Sequence, residues 1–128
     1  MVKTLFIIIL SLVSVGCSKL EGEQVNIKPE NNLIVEKHTG TEGQYEQTKE
    51  VTEKETVDIV NKIFKNTRWE DASDKSTYPD FRINDNYAIW ILSPDNRMKV
   101  RIESLDKNTF LSEKDSKTLY EILQTKAR

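Results

Sequence analysis

The spacing of hydrophobic and polar positions changes character several times along the chain. Val57, Ile59, Val60, Ile63 and Phe64 recur at helical spacing, behind Thr52 and Glu55 in the form of a capping box. They predict a first helix over 53–66. Ser112 with Asp115 opens a second capped segment, 113–126, with Leu119, Tyr120, Ile122 and Leu123 as its buried side. Between the helices, Tyr87–Ser93 is apolar on both parities and reads as a central strand. Arg97–Glu103 alternates: Met98, Val100 and Ile102 on one side, Arg97, Lys99, Arg101 and Glu103 on the other. The Ser93-Pro94-Asp95-Asn96 stretch is a turn signal between them. A second turn, Leu105–Asn108, leads to a short strand over Thr109–Leu111. Upstream, Leu33–His38 and Tyr45–Val51 flank a loop containing Gly40 and Gly43, the pattern of a hairpin.

This order predicts an α+β fold, a small antiparallel sheet of about four to five strands with two helices packed on one face. Asn66–Phe81 is left as a long connection carrying Trp69, Tyr78 and Phe81. Unstructured loops of that length are uncommon in compact domains and often functional. The alternative is a lid whose aromatics cap the core.

The Pro94-Asp95 turn sets a strand register. Pairing Ser93 with Asn96 places Leu92 opposite Arg97, Trp90 opposite Lys99 and Ala88 opposite Arg101. On the other side Ile91 meets Met98, Ile89 meets Val100 and Tyr87 meets Ile102, which predicts the core face. The first face displays Trp90 among three cations, an arrangement suited to cation–π contact and to an anionic partner. Trp90, Arg97, Lys99, Arg101 and Trp69 are therefore the candidate partner-binding residues. The plainer reading is that Lys and Arg stems shelter Trp90 on a solvated face, or that Trp69 or Tyr78 covers it.

The amino terminus has a different pattern. After Met1-Val2-Lys3, Leu5–Val15 is an uninterrupted run of eleven apolar and small residues, well short of the ~20 needed to span a bilayer. It ends at Ser14-Val15-Gly16-Cys17, and Cys17 is the sole cysteine of 128 residues. One cysteine excludes an internal disulfide and a multi-cysteine zinc site. Residues 18–32 lack a sustained period and read as a flexible spacer able to lift a 33–128 domain about 20 Å. The formal net charge of −2 gives no drive toward nucleic acid.

Met1–Cys17 resembles a bacterial lipoprotein signal with its lipobox. The resemblance implies cleavage between Gly16 and Cys17, removal of residues 1–16, and lipidation of the Cys17 thiol. The box usually has Leu where this chain has Ser14. A diacylglyceryl thioether supplies two acyl chains, and two give stable anchoring at ~0.8 kcal/mol per buried methylene. Removing Lys3 takes the basic side chains from 19 to 18 against 21 acidic, a net charge of −3. Further on, Trp69, Tyr78-Pro79-Asp80-Phe81, Tyr87-Ala88-Ile89-Trp90, Leu111-Ser112 and Leu119–Leu123 resemble small YhfM-like lipoproteins of Gram-positive spore-forming bacteria. That group assigns no catalytic residues to carry over.

Catalytic patterns are sparse. His38 is the only histidine, beside a glycine-rich turn; there is no G-x-S-x-G elbow and no glycine-rich phosphate loop. Glu70, Asp71, Asp74 and Asp80 lie in the long connection, where two carboxylates ~5–10 Å apart would favour glycoside hydrolysis. No metal or cofactor is expected. The expected function is a non-enzymatic binding or accessory module of the cell envelope. It is held by lipid on the extracytoplasmic side of the cell membrane, with a protein or an anionic envelope polymer as partner. The alternatives are an envelope hydrolase using the loop carboxylates and, from the resemblance alone, a subunit of a sporulation or germination assembly.

Overall fold

The computed structural model describes residues 22–72 and 77–124. The signal segment, Cys17 and Asp74 lie outside the described residues. The fold is α+β, and its antiparallel sheet has seven strands rather than four or five. The strands are β1 (Leu33–His38), β2 (Tyr45–Val51), β3 (Glu70–Asp71), β4 (Phe81–Ile83), β5 (Tyr87–Leu92), β6 (Arg97–Ile102) and β7 (Lys107–Phe110). The helices are α1 (Lys54–Asn66) and α2 (Glu113–Gln124). In space the strand order is β2-β1-β4-β5-β6-β7-β3.

The two strands without a counterpart in the predicted set are the shortest. β3 has two residues and β4 three, too few positions to show a period. β4 nevertheless had a signal. Phe81 and Ile83 alternate before Asn84-Asp85, both at positive φ, and the chain returns as β5 with Ile83 opposite Tyr87. Asn and Asp tolerate that backbone region, so the sequence supports a tight hairpin there.

The β5–β6 register is the predicted one at all six pairs, from Tyr87 opposite Ile102 to Leu92 opposite Arg97. Leu33, Val35, Phe81, Ile83, Tyr87, Ile89, Met98, Val100 and Ile102 all point to one side of the sheet and are buried there. Val57, Val60, Ile63 and Phe64 of α1 and Leu119 and Leu123 of α2 complete the same cluster. Both helices therefore cover one face. Ile59 belonged to the expected apolar stripe but is exposed. Helix α1 joins β2 at one sheet edge to β3 at the other; its 13 residues span about 20 Å of that crossing.

The caps differ. Ser112 Oγ accepts from the Asp115 amide at 3.1 Å, the expected half of a capping box. Helix α1 starts one residue later than the box requires, with Glu53 at the cap position and no side-chain cap bond. The Glu53 carboxylate instead accepts from the Thr56 hydroxyl at 2.6 Å.

The expected spacer is largely part of the domain. Val25 and Ile27 pack against the core. Glu23 and Trp69 exchange both backbone hydrogen bonds, at 2.9 and 2.7 Å. The Glu30 amide donates to Asn61 Oδ1, and Asn61 Nδ2 returns a bond to the Glu30 carbonyl. Gly22 sits at φ +77°, and a Cβ there would approach the Trp69 carbonyl to 3.1 Å, so a side chain is excluded on both counts. Periodicity had no way to find this packing, because an extended segment held by isolated bonds has no repeat. Among the described residues no helix is long and apolar enough to cross a membrane.

Candidate binding face on the open side of the sheet

The face away from the helices is built by the residues that alternate with the core. Across the middle of the sheet these are Arg82 on β4, Ala88, Trp90 and Leu92 on β5, Arg97, Lys99 and Arg101 on β6, and Asn108 and Phe110 on β7. They include four cations and no acid. The acids of this face include Glu36, Glu50 and Glu70 on β1, β2 and β3, and Glu103 and Asp106 of the β6–β7 turn, which lie over Arg101.

Trp90, Lys99 and Phe110 form one row across β5, β6 and β7. At about 4.8 Å per strand the row is about 10 Å long. Lys99 Nζ lies 5.2 Å from the Trp90 ring centroid, the predicted cation–π pair. Trp90 is half-buried, and its indole N–H donates to the Thr77 carbonyl at 3.3 Å. Phe110 is 52% exposed on the same face. Its place could have been read by extending the alternation: with Leu111 inward, Phe110 points out. Arg97 is exposed and donates from Nη2 to the Leu111 carbonyl at 2.9 Å, which fixes the guanidinium beside the end of β7.

Two expected members of the face do not serve it. Trp69 is 0% exposed. Its indole N–H donates to the Phe64 carbonyl at 3.0 Å, and its ring meets Phe64 edge-on at 6.2 Å. It therefore belongs to the core on the helix side and cannot cover Trp90. The reason is the α1 crossover, which brings Trp69 onto the far edge of the sheet immediately after the helix; its polar neighbours in sequence gave no sign of this. Arg101 is only 5% exposed, because the β6–β7 turn folds back over it. Asp106 bonds its Nη2, and Glu103 lies 3.6 Å from its Nε. Arg101 is a structural cation, flanking the fully buried Ala88 with Arg82 on the other side.

A second aromatic group lies toward β1 and β2. His38 is half-buried, 5.1 Å from the Tyr45 ring and stacked at 5.9 Å on Tyr78. Its Nδ1 accepts from the Gly40 amide. The Tyr45 hydroxyl donates to the Pro79 carbonyl at 2.7 Å, and Arg82 lies 5.7 Å from the Tyr45 ring. Tyr78 therefore closes on His38. The sequence alone does not bring His38, Tyr45 and Tyr78 together, since their contact depends on the β1–β4 pairing.

The described loop carboxylates, Glu70, Asp71 and Asp80, are dispersed. Glu70 and Asp71 stand on β3 at one edge, while Asp80 precedes β4 and accepts from the Ile91 amide at 2.8 Å. Four strand spacings, about 19 Å, separate the two places. Asp71 bonds Lys107 Nζ at 2.7 Å, and that ammonium holds its carboxyl below the ordinary range, as an anion rather than an acid. Glu70, Asp71 and Glu23 line a shallow recess with Gly22, Trp69 and Lys107. Among the described residues no group of three or more His, Cys, Asp or Glu side chains is placed to hold a metal ion.

No protein-family model matches the chain, and no curated protein or solved structure matches it.

Proposed function

We propose that the chain is a lipid-anchored domain on the extracytoplasmic side of the cell membrane, a non-enzymatic binding or accessory module whose working surface is the open face of its sheet. The anchor is Cys17, read from the apolar run and the small residues before it. The observation that carries the binding role is the row of Trp90, Lys99 and Phe110, with Arg97 beside it, a local pairing of aromatic rings and cations in an otherwise acidic chain. Aromatic rings with adjacent cations suit an anionic partner, because the rings supply apolar contact and the cations charge.

Mass spectrometry of the membrane fraction tests the anchor: a diacylated Cys17 as the first residue is expected, and an unmodified peptide spanning Cys17 overturns it. Trp90→Ala with Lys99→Ala tests the face. Loss of envelope or partner association with folding retained is the expected result. Unchanged association sinks the binding role.

A further inference from the structure

The packed segment from Gly22 onward and the cationic face, taken together, point to what the face touches. If Cys17 carries the lipid, the chain from Cys17 to Gly22 comprises five residue steps, which reach at most about 18 Å. From Gly22 the backbone is held to the domain by the Glu23–Trp69 pair. The sheet edge at β3 is therefore confined close to the lipid surface. Phe110 is near that edge: the Thr109 hydroxyl bonds the Arg68 carbonyl at 2.7 Å, and the Arg68 backbone adjoins Gly22. Two strand spacings, about 10 Å, separate Gly22 from the Phe110 strand.

The surfaces that so short a link can present differ in charge. The β3 edge carries Glu23, Glu70 and Asp71 around the ammonium of Lys107. The helix side is balanced: Glu55 and Asp58 stand with Lys54, Lys62 and Lys65 on α1, and Glu113, Asp115 and Glu121 with Lys114 and Lys117 on α2. An anionic leaflet favours a surface on which Lys and Arg are in local excess. The row of Trp90, Lys99 and Phe110, with Arg97 beside it, carries two cations and no acid among the described residues, and Phe110 and Trp90 are aromatic side chains of the type that settle at headgroup level.

Resting on the lipid-anchor reading above, we infer that the open sheet face docks on an anionic lipid surface, as a second attachment beside the acyl chains. Phe110 enters the interface, Trp90 lies at headgroup depth, and Arg97 and Lys99 meet the phosphates. The domain then lies flat on the membrane and does not stand off on a spacer.

The experiment uses the intact lipoprotein, reconstituted into phosphatidylglycerol vesicles whose acyl chains are brominated near the headgroup. Bromine quenches only nearby indoles, and Trp69 is buried in the core, so Trp90 is the reporter. Quenching of the wild type and its loss in Trp90→Phe is the expected pair of results. Arg97→Ser with Lys99→Ser lowers the docking equilibrium about 30-fold, at about a factor of five per charge. Phe110→Ser reduces quenching while leaving the circular dichroism spectrum unchanged. Equal, negligible quenching of wild type and Trp90→Phe, with Cys17 diacylated and the protein floating with the vesicles, overturns the docking and leaves the anchor standing. A Trp90 emission shift with polygalacturonate but no quenching by vesicles overturns it in favour of a polymer ligand. An unmodified Cys17 removes the anchor and the docking together.

Discussion

The two faces of the sheet are made by the same strands and differ by one residue of offset. On the helix side β5 and β6 contribute Tyr87, Ile89, Met98, Val100 and Ile102, each no more than 2% exposed. On the other side the same strands contribute Ala88, Trp90, Leu92, Arg97, Lys99 and Arg101. The helix side is a packing problem, settled by volume and apolar area. Arg101 apart, the open side keeps its aromatic and cationic groups near water, where they add little to folding. The chain also has two tryptophans, one per face, so the contrast can be tested with one residue type.

Trp69→Ala has the largest expected effect. It empties a fully buried site and leaves the Phe64 carbonyl without its indole donor. A loss of about 3–5 kcal/mol is expected, read as a drop in the denaturant midpoint at unchanged slope. A loss below about 1 kcal/mol would mean that Trp69 is not part of the core, and the contrast between the faces would break.

The faces were not equally legible in the sequence. The β5–β6 hairpin was readable because Arg97–Glu103 alternates and a Pro-Asp turn fixes its pairing, which also delivered the Trp90–Lys99 pair. Trp69 was misplaced because its burial depends on α1 crossing from β2 to β3, a long-range event with no local mark. Arg101 was misplaced for a shorter-range reason. Asp106 is five residues away in sequence, but only the folded-back turn, with Asp106 at φ 55°, brings the carboxylate onto the guanidinium. Alternation tells which way a side chain points; it does not tell what lies over it.

Tyr87 gives the next largest effect. Burial, with a smaller contribution from the Glu30 charge, pushes its hydroxyl up to about 12 from 10.0. A raised value means that the folded state holds its proton more tightly than the unfolded state. The stabilisation is therefore complete below pH 10 and lost as pH rises through about 12. It amounts to about 3 kcal/mol. Alkaline unfolding followed by circular dichroism should show this decline, and Tyr87→Phe should flatten it. An unchanged decline in Tyr87→Phe would assign it elsewhere.

Ser116 tests how α2 closes the helix side. Its hydroxyl accepts from the buried Met98 amide at 3.0 Å, at the end of the sheet where Leu111 in turn donates to the Met98 carbonyl. Ser116→Ala leaves that amide without an acceptor and should cost about 1–3 kcal/mol in chemical denaturation. Ser116→Thr, which keeps the hydroxyl, separates the lost bond from a packing defect: recovery of most of the loss identifies the bond.

The smallest effect on stability is expected on the open face. Trp90 is half-buried, its indole N–H meets an exposed carbonyl, and Lys99 lies over its ring in partial contact with solvent. Trp90→Ala with Lys99→Ala should cost about 1 kcal/mol, the sum of a modest apolar area and a screened cation–π contact. Arg97→Ala should stay within about 0.5 kcal/mol. These values decide how the association experiments are read. A double variant that remains folded but no longer associates has lost a surface, whereas a double variant as unstable as Trp69→Ala has lost its fold. A cost of about 3 kcal/mol would place Trp90 with the structural residues. The two faces would then differ in composition but not in purpose.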